Sequence, residues 1–326
     1  MLTPAIITRR DDLDADAVIL RLRARGCLPI RINWEDIYED AAFSLRLSNE
    51  GAPSGRVATD RRQIDVDQIK AAYWRPTLLE LPAHESPDGA YIRGEIDGAW
   101  TALYRLLDCT WFNRPAAVQS SGCILKRLDR AKAAGFQIPE TLISDDPRQL
   151  VEFCRAAGGR VVVRPVRLGP IALVANEGRS LLPHWIRSAL VTLEELSANV
   201  DQLGQSPSIL QRYVTGRKVI KVAIVKERLF AAAFTFERGA NPLPAAVDLS
   251  ASGHPQEINL PSTAEKACRA LASELGFNYA IVTLVESEAE GLYLIDIDPN
   301  ASFLWLERVF PQFQIGARLA EELASS

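Results

Sequence analysis

Histidine is nearly absent. The 326 residues hold three, His84, His184 and His254, each isolated from the others in sequence. A zinc motif or a His-centred triad built from neighbouring positions is therefore excluded; only distant residues brought together by folding could make one. Cysteine is sparse as well: Cys27, Cys109, Cys123, Cys154 and Cys268 are odd in number, widely spaced and form no CxxC pair. That pattern points to reduced, buried thiols in a cytosolic protein. No apolar run approaches the roughly 20 residues that cross a bilayer. The opening MLTPAIITRRDDLDADAV turns acidic after one short apolar stretch, unlike a signal peptide. The expectation is a cytoplasmic protein with no membrane partner. Surplus positive charge is missing too. A net charge of −4 gives no global field for nucleic acid, and Arg21, Arg23 and Arg25 read as a solvated helix face. There is no internal repeat and no low-complexity tract.

What is present is an ordinary globular composition, 48% hydrophobic and 24% charged, at a length that favours two or three lobes over one core. PAIITR reads as a strand, DDLDADAVILRLRARG as a helix with acidic residues at its start and Gly26 at its end, and LPIRIN as a second strand. Strand, helix, strand opens an α/β lobe with parallel pairing. Hairpin or loop material from Phe43 to Ile64, a strand in IKAAYWRP, a helix over Ala90 to Leu107 and an extended exit CTWFNRP complete that lobe, with Pro115 as its hinge. A compact middle unit follows: a helix closed by Gly135, a strand, a helix capped near Asp145 or Asp146, and two strands around a Gly-Pro turn in RVVVRPVRLGPIALVAN. The last third carries the strand SILQR, a hairpin broken at Lys226–Arg228, a helix with a capping-box start at Ser262, Thr263 and Glu265, paired strands, and a closing amphipathic helix. These shifts place boundaries at 1–115, 116–206 and 207–326.

The stretch LIDIDPNASFLWLE, Leu294 to Glu307, raises the chemical question. In an alternating strand Asp296 and Asp298 share one face, with Ile295 and Ile297 on the other. Two such carboxylates repel unless a cation neutralises them, and Mg²⁺ takes oxygen ligands while bridging to phosphates. Salt bridges, or capping of the following DPN turn, would satisfy the same acids. Both readings stand at this point.

The order of elements, with VVVRP, then ILQRYV, a hairpin carrying Lys221, a helix and a final D-x-D-P-N strand, resembles the ATP-grasp superfamily. Within it, the likeness is to the ligases that macrocyclise ribosomal peptides of the microviridin, or graspetide, type. YWRP at Tyr73–Pro76 resembles their aromatic-Arg-Pro signature, and TWFNRP at Thr110–Pro115 their W-x-N-x-P exit. AGFQIPETLISDDP at Ala134–Pro147 resembles their G-x-x-x-P-x-T-L segment. IDIDPNASFLWLE resembles their E-x-N-P-N-G ending, with Pro299, Asn300, Trp305 and Glu307 in matching places. The resemblance implies an α/β and α+β ATP-grasp fold: an N-terminal pre-ATP-grasp lobe, a central lobe and a C-terminal lobe. It implies ATP and Mg²⁺ as cofactors, a ribosomal precursor peptide with leader and core as partner, and a homodimer. Arg164 and Lys221 would balance the phosphates, and the main chain of Gln211, Arg212, Tyr213 and Val214 would line the adenine edge. Asp296 and Asp298 would hold Mg²⁺, and Arg75 would hold an acidic substrate or its acyl phosphate. The implied activity joins a side-chain carboxylate of the peptide to an amine or hydroxyl through an acyl phosphate. Several positions depart from the pattern: Ile124 stands where the family carries lysine, Arg164 where it carries a strand lysine, and Lys221 where it carries arginine. Thr283 replaces a metal-binding aspartate, and Asp296 and Asp298 replace the E-x-N pair. With Asp298 standing in for the aspartate missing at Thr283, the carboxylate count is kept. A degenerate ATP-grasp protein that binds a peptide or partner enzyme without catalysis is the alternative.

Overall fold

A computed structural model describes residues 3–49, 51, 53–59, 62–75, 87–166, 170–171, 184–185, 188–237, 243–244, 254–287 and 291–325. Pro76, His84, the Gly169 half of the expected Gly-Pro turn and most of the loop after Glu237 lie outside these residues. The strand–helix–strand opening is present as β1 (Thr3–Thr8), α1 (Leu13–Ala24) and β2 (Ile30–Asn33), with β1 and β2 parallel. Asp12 caps α1 by accepting from the Ala15 N–H at 3.1 Å, and Gly26 takes a φ of +73° beyond its end. Residues 42–65 form an antiparallel meander, β3 (Ala42–Arg46), β4 (Ser54–Ala58) and β5 (Gln63–Asp65). Then β6 (Ile69–Trp74), α2 (Pro87–Leu106) and β7 (Thr110–Phe112) complete a parallel sheet of order β2-β1-β6-β7. Strand β1 is buried along its whole length because one face packs on α1 and the other on the Trp100–Leu107 part of α2 and its surroundings.

Pro115, expected as a hinge, instead starts a short helix, α3 (Pro115–Ser120), where its missing N–H removes no helical hydrogen bond. The next helix, α4 (Ile124–Ala133), sits in the expected middle unit by sequence but not by packing. Ile124, Leu128 and Ala131 join the core of the last sheet. The central sheet holds β8 (Thr141–Ser144), followed by α5 (Pro147–Ala156) with Asp146 at its N-cap, and β9 (Arg160–Arg164). Of the expected partner of β9 beyond the Gly-Pro turn, only Pro170 and Ile171 are among the described residues. Short β10 (Pro170–Ile171) pairs with β11 (His184–Trp185), and β9 lies between β12 (Ala189–Thr192) and β13 (Ser208–Arg212). Helices α6 (Leu193–Ala198) and α7 (Val200–Leu203) separate those two strands. The ladder of β13 therefore carries the central sheet past residue 206, the boundary expected from sequence.

The last sheet has the order β16-β15-β14-β17-β18: β14 (Lys218–Val225), β15 (Arg228–Thr235), β16 (His254–Glu257), β17 (Tyr279–Ser287) and β18 (Gly291–Asp298). Helix α8 (Ser262–Leu275) covers one face, but its expected capping box is not formed. Pro261 occupies the N-cap with no side-chain cap bond, and Ser262 is already helical. The chain ends in α9 (Leu304–Val309) and α10 (Ile315–Ser325), the latter packed against α1. A register shift in the β17–β18 ladder sets Thr283 opposite Asp296 and Leu284 opposite Leu294, leaving Ile295 as the extra residue. This bulge breaks the strict alternation expected of 294–298. Ile295 packs in the core shared with the N-terminal sheet, whereas Ile297 packs in the core beneath α8.

The N- and C-terminal parts are joined by buried charges. Arg75 Nε donates to Asp12 at 2.8 Å and Nη2 to Asp14 at 3.1 Å, with all three side chains under one-tenth exposed. Asp14 in turn accepts from the Phe303 and Leu304 N–H groups at 2.9 and 3.2 Å, satisfying the start of α9. Removing one member of a buried ion pair typically costs about 3–5 kcal/mol, and Arg75→Ala is expected to lose about that much in urea unfolding at neutral pH. Burial opposes the Asp12 charge, but Arg75 and Thr8 hold its carboxyl below the ordinary 3.8. The pair thus contributes fully above that value and fades as pH falls through the depressed folded value. The gap between wild type and Arg75→Ala should be full at pH 7 and shrink below about pH 4.

Candidate functional site

Cross-strand register lines up Lys221, Thr283 and Asp296 on β14, β17 and β18. Their face of the sheet looks toward β9 and the end of β13, and a cleft of about 340 Å³, counting its solvent-open mouth, lies between them. Arg164, Gln211, Tyr213, Val214, Pro244 and Ile295 are among its walls. The β13 ladder ends with Gln211 opposite Thr141 and Arg212 opposite Val161. The main chain of Gln211 and Arg212 is thereby committed to the sheet, and that of Tyr213 and Val214 continues past it along the cleft wall. The Gln211 amide is buried and donates to Thr141 Oγ1 at 3.1 Å, while Arg212 is exposed. The guanidinium of Arg160 lies 5.2 Å from the Tyr213 ring centroid.

The Lys221 ammonium is buried and donates to Thr283 Oγ1 at 3.0 Å and to the Pro244 carbonyl at 2.9 Å. Thr283, placed where the related pattern carries an aspartate, is thus a neutral acceptor for a lysine. Arg75 is absent from the cleft walls; its guanidinium points into the core and also reaches Tyr73 Oη at 3.2 Å.

Asp296 has the densest coordination. Oδ1 accepts from Arg127 Nε at 2.9 Å and from the Ile297 N–H at 2.8 Å. Oδ2 accepts from Arg164 Nη2 at 2.5 Å and Arg127 Nη2 at 3.4 Å. A carboxylate offers about four acceptor positions, and four N–H donors occupy them. The side chain is only 15% exposed. Loss of hydration opposes its charge, but Arg127 and Arg164 hold its carboxyl below the ordinary range. Of the two neutralisation modes open to Asp296, the structure displays guanidinium pairing. Arg127 is the residue that sequence reasoning missed. It lies one turn beyond Ile124 on the same face of α4, so the signal was the three-residue spacing from the position where the family carries a cation. Its Nη1 donates to the Ser121 and Gly122 carbonyls at 2.7 and 3.1 Å, satisfying the C-terminal end of α3.

Asp298 differs. It is exposed, and its Oδ1 accepts from the Asn300 N–H at 2.8 Å. Asn300 Oδ1 is buried with no hydrogen-bond partner among the described residues. One carboxylate and one amide oxygen suit Mg²⁺, which keeps several waters and binds through one or two carboxylates plus phosphate. Among the described residues no group of three or more His, Cys, Asp or Glu side chains forms a metal cluster. The turn bearing these oxygens is held by Asn113, whose Nδ2 donates to the Tyr279 and Pro299 carbonyls at 2.7 and 3.1 Å.

No family model and no curated protein matches this chain. Solved structures do. Macrocyclase MdnC of Microcystis aeruginosa MRC, bound with precursor peptide MdnA, is 21% identical with a TM-score of 0.79, covering 99% of this chain and 100% of its own. The RiPP-associated ATP-grasp ligase of Chryseobacterium gregarium, in complex with ADP and a leader and core peptide, is 18% identical with a TM-score of 0.82, covering 100% and 97%. ATP-grasp ligase PsnB, complexed with minimal precursor, Mg and ADP, is 18% identical with a TM-score of 0.73, covering 100% and 98%. The chain has the ATP-grasp fold over its full length.

Thr283→Val removes one acceptor from a buried ammonium, and hydrogen bonds to charged groups contribute about 1.5–3 kcal/mol. Urea unfolding should show a loss of roughly that size, and Thr283→Ser, which keeps the hydroxyl, should recover most of it.

Proposed function

We propose that this ATP-grasp chain is an ATP-dependent ligase that activates side-chain carboxylates of a ribosomal precursor peptide. The observation that carries the reading is the cleft between β9 and Ile295 of β18, walled by Arg164, Gln211, Tyr213 and Val214, within a fold shared end to end with ligases solved alongside precursor peptides, ADP and Mg. The domain division that goes with it is an N-terminal lobe, a central lobe that includes β13, and a C-terminal lobe.

The assigned roles follow from position. The main chain of Tyr213 and Val214, beyond the end of the β13 ladder, lines the adenine edge, with Gln211 and Arg212 fixing that segment in the sheet. Arg164 in the cleft wall, with the buried Lys221 behind Pro244 of that wall, would neutralise phosphate charge with little reorganisation. Asp298 and Asn300 would hold Mg²⁺, which would supply charge screening of the phosphate oxygens. The peptide carboxylate attacks the γ-phosphorus, giving an acyl phosphate and ADP. A Lys amine or a Ser or Thr hydroxyl then attacks the acyl carbon and expels phosphate, so the peptide loses one water. Activation is required because a carboxylate is a poor electrophile at neutral pH. Arg75 supports the site indirectly, through Asp14 and the start of α9, rather than by touching substrate.

A homodimer in the cytoplasm completes the reading. Its supports are Leu13 and Leu20, exposed seven residues apart on one face of α1, and five cysteines that are all free. No helix among the described residues is long and apolar enough to cross a membrane.

One observation favours a second reading, a peptide-binding protein without catalysis: the saturation of Asp296 by two arginines. Incubating the purified protein with ATP, Mg²⁺ and short synthetic precursor-like peptides rich in Thr, Ser, Asp, Glu and Lys separates the two. Ligation gives ADP and a peptide lighter by one or more waters. An unchanged peptide mass with no ADP overturns it in favour of the second reading.

A further inference from the structure

The geometry points to Arg127 as a built-in cation that holds the place of a metal ion on Asp296, so that a divalent ion enters this cleft only through Asp298 and Asn300. The inference deepens the nucleotide reading above, and its nucleotide arm rests on that reading. Its first arm does not.

Three observations carry it. First, Asp296 has no acceptor position left. Arg127 supplies two of its four donors, Arg164 one and the Ile297 main chain one. A divalent ion would have to displace a guanidinium and then sit beside it, against like charge in a poorly hydrated site. Second, Arg127 is anchored apart from Asp296. Its Nη1 is fixed to the Ser121 and Gly122 carbonyls, and its side chain is 6% exposed, so it cannot swing into solvent without stranding those oxygens. The planar fork of arginine permits this double duty, which the single ammonium of a lysine could not reproduce. Third, oxygens suited to a hard cation remain two residues further along. Asp298 is exposed, and Asn300 Oδ1 is buried and unpaired among the described residues.

Arg127 is therefore a positioning and selectivity residue. It keeps Asp296 and, through it, Arg164 in fixed places, and it directs the ion to the turn. The charge that a second carboxylate-bound ion would bring is present in the polypeptide.

Mn²⁺, a hard ion read by electron paramagnetic resonance, is the probe, titrated into the full chain without nucleotide. Wild type should take up none at about 1 mM, a concentration corresponding to weak binding of about −4 kcal/mol. Arg127→Ala should gain one Mn²⁺ per chain, and Arg127→Gln, which keeps most of the side-chain volume, should gain it too if the alanine variant folds poorly. Adding Asp296→Asn to either should abolish that gain. A purely structural ion pair predicts lower stability in the Arg127 variants and no gained metal. Uptake by wild type that disappears in Asp296→Asn overturns the inference, as does a folded Arg127 variant with no uptake. In the second arm ADP is added. Wild type should then bind one Mn²⁺ per chain, weakened at least tenfold by Asp298→Asn and less than twofold by Asp296→Asn; the reverse order overturns the assignment. Failure of ADP to bind at all counts against the nucleotide reading, and the nucleotide-free titration still decides the role of Arg127.

Discussion

The Asp296 carboxylate is the point on which the cleft depends. A charge in this setting is tolerated only when it is paired and fully hydrogen-bonded. Here the donors arrive from three directions: α4 through Arg127, β9 through Arg164 and the carboxylate's own strand through Ile297. Because each guanidinium is rooted in a different element, satisfying this one side chain fixes where the central sheet stands against the edge of the last sheet. The β17–β18 bulge contributes by placing Ile295 toward the cleft wall while leaving Asp296 opposite Thr283.

A second set of polar contacts fixes the turn that follows. Asn113 holds the Pro299 carbonyl, Tyr279 Oη donates to the Ala301 carbonyl at 2.6 Å, and Asp14 accepts from Phe303 and Leu304. Glu307 ties α9 to the rest, accepting from Arg21 at 2.6 Å and from the Gly316 N–H at 2.7 Å. The segment from Asp298 to Glu307 is thus gripped by the N-terminal lobe on one side and by α10 on the other. Oxygens offered to an ion or a phosphate gain most when their supporting shell is rigid. The resembling motifs YWRP and TWFNRP therefore act largely as braces for this segment: Arg75 supports it from below through Asp14, and Asn113 from the side.

Lys221 and Thr283 show how a changed residue type alters a site without opening a hole. A carboxylate at Thr283 would have made an ion pair across the ladder; the hydroxyl accepts a single hydrogen bond instead, and the Pro244 carbonyl takes another. The ammonium of Lys221 is thereby held beside Pro244 of the cleft wall.

Local pattern was enough for most of the scaffold. The alternating or fully apolar runs at 3–8, 69–74, 218–235 and 279–298, the acidic helix start at 12–16 and the glycines at 26 and 135 each specify their element from neighbours in the chain, because the physics there is local. The short strands β12 and β16 were not legible, since each exists only as the edge of a ladder supplied elsewhere. The same limit explains the site. KRLDRAK reads only as part of a helix closed by Gly135, yet Arg127 within it meets an aspartate 169 positions away. By itself the sequence marked Asp296 and Asp298 as carboxylates needing either a cation or a turn to cap, and divided the chain into three lobes. Only the tertiary structure decided that guanidinium groups take Asp296 and leave Asp298 open. That choice depends on the distance between α4, β9 and β18, which no local pattern records.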